Sequence, residues 1–180
     1  MNDVRGYTAT AKWLHWLVAG FIVAAFGLAL VMTDMPGITP TKLKYFNWHK
    51  WLGVTVFGLA CLRLVWRLFH EPPALPTHMK PWEKLAAHGG HLALYFFIFA
   101  VPIAGYLYSL AAGYPVVYLG KFPLPVVMGP DPVLKPVLKE AHELLAWAMA
   151  AVVGLHAAAA LKHHVVDRDE VLRRMLPGTR

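Results

Sequence analysis

The chain has 180 residues, of which 58% are hydrophobic and only 15% charged, with a formal net charge of +7. An ordinary soluble domain is about 45–50% apolar and about 25% charged, so this composition argues against a typical soluble enzyme and places the chain in the membrane class. The single cysteine, Cys61, excludes an intramolecular disulfide framework.

Apolar residues fall in four blocks, at 13–32, 51–69, 92–112 and 144–161, and the charges collect between them. With its flanks each block approaches the ~20 residues that cross a hydrocarbon core. They predict an all-α membrane protein, one domain over 1–180, with four transmembrane helices at about 10–33, 47–69, 84–112 and 139–165. The first block is longer than the ~7–15 apolar residues of a cleaved signal and has no clear cleavage signature, so it reads as a retained helix.

In chain order, the first helix carries Trp13, His15 and Trp16. A short connection with Pro36, Gly37 and Pro40 leads to the second helix, which opens with Trp48, His49, Lys50 and Trp51 and closes with Arg63 and Arg67. The strap at 69–84 holds Pro72, Pro73, Pro76 and Pro81, so it reads as stiff and extended, with His70 and His78 solvated. His88 and His91 open the third helix. The connection at 113–139 carries Pro115, Pro123, Pro125, Pro130, Pro132 and Pro136 and reads as a proline-rich cap. The fourth helix holds His142 and His156, followed by His163, His164 and a basic tail.

Eleven of the 17 basic residues fall at the two termini and around the strap, and six (Lys42, Lys44, Lys50, Lys121, Lys135 and Lys139) on the other side. The positive-inside rule then puts both termini in the cytoplasm. The basic surplus reads as topology and attraction to the lipid bilayer, with no nucleic acid as partner.

His142 and His156 are 14 residues apart, within roughly 40° of one helix face and about 21 Å apart along its axis. A histidine inside a membrane helix is costly and usually functional. The alternating topology places His15 at the depth of His156 and His49 at the depth of His142. Zinc sites gather three or four ligands at one point, whereas here two separated pairs arise. Two imidazoles can fill both axial positions of a haem iron within a four-helix bundle. Two b-type haems are therefore expected, held non-covalently because one cysteine cannot form a Cys-x-x-Cys-His attachment run. Gly20 and Gly53 give a porphyrin room or pack helices. Arg63 and Arg67 suit haem propionates or lipid phosphate. His91 and His163, with His88 nearby, gather at the inner end, where they suit a quinone's carbonyl oxygens and its proton supply.

These residues lie in stretches that resemble the small bacterial cytochrome b561 proteins: Leu14-His15-Trp16-Leu17, His49-Lys50-Trp51-Leu52-Gly53, Arg63-Leu64-Val65-Trp66-Arg67, Ala87-His88-Gly89-Gly90-His91, His142-Glu143-Leu144-Leu145-Ala146 and the run from Gly154 to His164. Within that family the chain looks most like the superoxide oxidase type. The resemblance implies a four-helix dihaem cytochrome with axial ligands at His15, His49, His142 and His156. It also implies a ubiquinone site at His91 and His163, with Lys80 as a further basic member. Superoxide is the implied outer substrate, and Lys50, with Lys42, Lys44 and Lys121, would draw that anion in. The alternative is an electron-transfer subunit linking a periplasmic redox partner to the quinone pool.

Overall fold

A computed structural model describes residues 6–178. Four helices, α1 (Ala9–Asp34), α2 (Pro40–Phe69), α3 (Pro81–Ala111) and α4 (Leu134–Lys162), are each long and apolar enough to cross a membrane. α1 packs chiefly on α2, and α3 on α4. Large apolar side chains such as Leu17, Val23, Leu62, Leu92, Phe96, Leu144 and Leu155 point outward. In water such a surface would be untenable, whereas in lipid it is the solvated face.

The helix starts differ from expectation where proline was read as loop. α2 begins at Pro40, not near residue 47, so the first connection shrinks to five residues, 35–39. Pro40 occupies the first helical position, where its missing N–H is no loss, and Thr39 Oγ1 accepts the Lys42 N–H at 3.1 Å. α4 likewise begins at Leu134, with Pro136 in its first turn. Asp131 Oδ1 caps it by accepting from Val133 and Leu134 N–H at 2.8 and 2.9 Å.

The long connection is an ordered cap. Val117–Tyr118 (β1) and Phe122–Pro123 (β2) pair antiparallel, Val117 opposite Pro123 and Tyr118 opposite Phe122. Trp51 Nε1–H donates to Val117 O at 2.8 Å, and Tyr118 hydroxyl lies 3.0 Å from Thr55 Oγ1. Tyr106 hydroxyl also bonds Pro125 O. The hairpin is thus fastened to both α2 and α3 at one end of the bundle, called here the hairpin end.

At the other end, the terminal end, a π turn (His163–Asp167) follows α4, and the tail folds back on the strap and on α1. Arg174 Nη1–H donates to Ala74 O at 2.8 Å, and Trp16 Nε1–H to Met175 O at 2.9 Å. The basic tail is therefore docked on protein through Arg174 and Met175. Midway between the ends lies the core of Val18, Ile22, Val56, Ala60, Ile98, Val101 and Met149, flanked by Phe21, Phe97 and Phe99.

Candidate functional site

The bundle collects its histidines into two groups. At the hairpin end the His49 and His142 rings have centres 6.1 Å apart, and at the terminal end those of His15 and His156 are 6.2 Å apart. A metal–imidazole bond is about 2.0 Å and the ring centre lies roughly 1.1 Å beyond, so imidazoles on opposite faces of one ion have centres ~6.2 Å apart. Both pairs meet that span. The His91 ring also approaches His156, at 5.5 Å, which is short of it, so on spacing His15 is the better axial partner.

Hydrogen bonds set the tautomers at the hairpin end. Nδ1 of His49 lies 3.0 Å from Ala25 O, and Nδ1 of His142 3.0 Å from Val101 O. A carbonyl can only accept, so each ring donates Nδ1–H and leaves the Nε2 lone pair available to a metal. Helix α3 also leaves space for the ring. A Cβ on Gly105 would meet Cε1 of His142 at 2.8 Å, while one on Gly53 or Gly20 would meet nothing within 4 Å. Gly53 and Gly20 are therefore not helix-packing glycines, and Gly53 sits one turn from His49 on the same face. At the hairpin end, the paired rings, their fixed tautomers and the open Gly53 fit a flat macrocycle.

Arg63 and Arg67 share a small cavity of about 30 Å³ with Tyr7, Trp66, His70 and Tyr95. Arg63 Nη1–H donates to Ala11 O at 3.1 Å, and the Arg67 guanidinium lies 5.5 Å over the Tyr95 ring. The Tyr95 hydroxyl is buried without a partner among the described residues. His70 is exposed, as expected, and its ring stacks on the Trp66 ring at 3.9 Å.

A second cavity, about 290 Å³, is lined by His78, Lys80, Glu83, Lys162, His163 and Asp167. It brings Lys80 and His163 together. His91 is not among its lining residues but lies against His156, nearer the core. His88 and His164 are exposed. His78 is exposed, as expected of the strap, and also contacts Asp169 at 3.3 Å. His163, Asp167 and Asp169 offer ligand atoms within 4.8 Å of one another. Lys162 Nζ already lies 2.8 Å from Asp167 and 2.9 Å from Glu83, so a resident ammonium balances that charge.

Lysines at the hairpin end divide by engagement. Lys42 Nζ donates to Met35 O at 2.6 Å, and Lys44 lies 4.8 Å over the Trp48 ring. Lys50, next to His49, reaches Tyr114 O at 3.5 Å beneath the cap. Lys121 lies in the hairpin turn, its N–H donating to Tyr118 O at 3.1 Å.

A four-helix membrane bundle with imidazoles paired at each end defines the class of b-type membrane cytochromes. The sequence matches the family described as prokaryotic cytochrome b561 over residues 6–178, and the chain belongs to that family. It is a haem-binding, multi-pass electron-transfer protein of the inner membrane. Among its relatives, cytochrome b561 homolog 2 of Escherichia coli K12 is 33% identical over 175 residues, covering 97% of this chain and 93% of that one. Cytochrome b561 homolog 1 of the same organism is 27% identical over 171 residues, covering 95% and 97%. A probable superoxide oxidase, CybB, of Yersinia pestis is 30% identical over 180 residues, covering 98% of both. The asparagine- and serine-poor cap hid its hairpin from sequence reasoning, and Gly105, Asp167 and Asp169 were also missed. For Asp169 the only available signal is an acidic residue six positions after a helical histidine.

Proposed function

We propose that this cytochrome is a superoxide:ubiquinone oxidoreductase, with the hairpin end facing the periplasm and both termini in the cytoplasm. The observation that carries the two-haem reading is the ring spacing, 6.1 Å at one end and 6.2 Å at the other. His49 and His142 would hold the outer haem, and His15 and His156 the inner one. When bound, a pair of haems supplies one-electron transfer and lets two electrons accumulate for a two-electron acceptor.

A group held by His49 and His142 would supply outer-sphere electron transfer there, so the protein's task is to bring the anion close. Lys50 lies beside His49 and under the cap, and its charge raises the local concentration of a small anion. The apolar layer of Val18, Val56, Ile98 and Met149 keeps water and protons from crossing between the ends. At the inner end Lys80 and His163 offer N–H donors to a quinone's oxygens from one cavity. His91, against His156, is the third donor proposed for that site. Arg63 and Arg67, with their cavity, are suited to propionate carboxylates.

Likeness to a probable superoxide oxidase supports the outer substrate. A second reading, an electron-transfer subunit docked to a periplasmic redox protein, is favoured by exposed apolar residues on the cap, including Leu119, Phe122 and Val126. Stopped-flow mixing of the oxidised protein with superoxide distinguishes them. The oxidase reading expects haem reduction far faster than in a haem protein of unrelated fold. A rate equal to that control removes it and leaves the subunit reading.

A further inference from the structure

At the inner end, strap and tail meet around one carboxylate. Asp169 Oδ2 lies 2.7 Å from His163 Nδ1 and 3.3 Å from His78 Nε2, and Oδ1 accepts the Val171 N–H at 2.9 Å. The Asp169 side chain is 5% exposed and that of His78 59%, so the carboxylate is nearly enclosed while one of its two imidazoles faces solvent. A buried carboxylate persists when its oxygens are filled by donors, and here three donors fill them.

The backbone takes an uncommon route to put Asp169 there. After Lys162 the α4 ladder widens into the π turn His163–Asp167, and Arg168 follows in the left-handed region at φ 54°. The N–H groups of Arg168 and Asp169 both return to His163 O, the latter at 3.0 Å. Single π turns occur often at functional sites. This one folds the chain so that the carboxylate six residues on bonds the ring of the residue that starts the turn.

We propose that Asp169 is a positioning residue for proton delivery: it holds His163 Nδ1–H, so that Nε2 is the nitrogen that gives its proton to a quinone oxygen in the adjoining cavity. The proposal rests on the quinone reading above. With Nδ1 engaged by Asp169, Nε2 is the ring nitrogen left to act, and His163 lines the cavity with Lys80. Reduction of quinone to quinol takes two electrons, from the one-electron centres, and two protons. Each proton transfer breaks one His163 Nε2–H bond and forms one quinol O–H bond. The imidazole left behind is neutral, keeps Nδ1–H on Asp169, and regains a proton at Nε2 from a hydronium ion of the solvent reaching the cavity, which leaves water.

The charges around this pair are accounted for from every side. Lys162 bridges Glu83 of α3 and Asp167, while Asp167 also lies 3.1 Å from His163 Nδ1. Lys80 comes from the start of α3 and His78 from the strap. Burial alone would raise the Asp169 carboxyl, but the Val171 N–H and the His163 and His78 rings hold it below its ordinary value. It is therefore an anion at neutral pH.

The test uses the haem-loaded full chain, reduced anaerobically and mixed with a short-chain ubiquinone across pH. Asp169→Asn should lower the maximal rate about 10-fold or more, with the haem spectrum and the half-saturating quinone concentration little changed. The pH dependence of the rate should change with it, and Asp169→Glu should recover most of the rate. An unchanged maximal rate and pH profile in Asp169→Asn would overturn the proposal. In parallel, ¹⁵N-histidine NMR of the unsubstituted protein should find His163 as the Nδ1–H tautomer in its neutral form, its signal identified by loss in His163→Gln. An Nε2–H tautomer overturns the proposal even if Asp169→Asn does not fold. Failure of the unsubstituted protein to react with ubiquinone removes the quinone reading, and is distinct from failure in the variants alone.

Discussion

Gly105 makes room for His142: a Cβ there would lie 2.8 Å from the ring's Cε1 and 2.9 Å from Nδ1. One turn earlier on the same helix, Val101 O takes the ring's N–H at 3.0 Å. The 101–105 turn of α3 thus holds the imidazole from two sides. Gly105→Ala improves helix propensity by about 1 kcal/mol, yet it must push the ring off its hydrogen bond. The expected outcome is loss or high-spin conversion of the outer haem signal in reduced-minus-oxidised and EPR spectra, with the inner signal kept. A wild-type spectrum would mean that α3 shifts to absorb the methyl group.

The paired rings give a sharper expectation for the ligands themselves. His142→Ala should remove or convert one haem and His156→Ala the other, each leaving roughly half of the low-spin absorbance. The two signals lost should differ in midpoint potential, because Arg63 and Arg67 stand only at the inner end. If both variants retain the full low-spin spectrum, the four histidines are not the axial set.

Much of this was legible in the sequence because membrane helices advertise themselves through apolar length and because imidazoles are rare in lipid. Spacing along α4 placed His142 and His156 at two depths, and alternation of topology alone supplied His49 and His15. Helix starts were harder, since Pro40 and Pro136 serve as first-turn residues while looking like loop. The hairpin was invisible because two-residue strands are too short to show a period of two. Asp169 was invisible for a different reason. Its partnership with His163 depends on a π turn and a left-handed Arg168, and neither leaves a pattern in residue type.

Lysine engagement predicts a graded response to substitution. Lys50 is next to His49, whereas the Lys42 ammonium is held on Met35 O at 2.6 Å. Lys50→Gln should slow haem reduction by superoxide several-fold at low ionic strength, and the difference should shrink as salt approaches ~1 M, where the Debye length is about 3 Å. Lys42→Gln should leave the rate within about two-fold, because its ammonium is held on Met35 O about two helical turns from His49. Equal effects from both would mean that the whole face steers the anion.

Arg168 adopts φ 54°, a conformation that costs a non-glycine residue roughly 1–2 kcal/mol. Glycine relieves that cost but loses more chain entropy on folding, about 0.4–1 kcal/mol. Arg168→Gly should therefore be neutral to stabilising by up to about 1.6 kcal/mol, a rise in Tm of ~0–6 °C for a chain of this size. Thermal unfolding in detergent or nanodiscs measures it. A clear fall in Tm would show that the arginine side chain contributes more than its backbone costs.

Acid should release the tail. Asp169 titrates below its ordinary value of 3.8 in the folded chain, so it binds a proton less readily folded than unfolded. Its contribution is then fully present above that ordinary value and is lost as pH falls through the lower folded value. The contacts at stake join the tail to the strap through His78 and to α4 through His163. Hydrogen exchange of residues 169–176 should be slow and flat from neutral pH down to about 4, after correction for intrinsic rates, and should rise below that. Asp169→Asn should exchange faster already at neutral pH, with little further change on acidification. A tail that loosens between pH 6 and 7 instead would move the controlling group from the carboxylate to the histidines beside it.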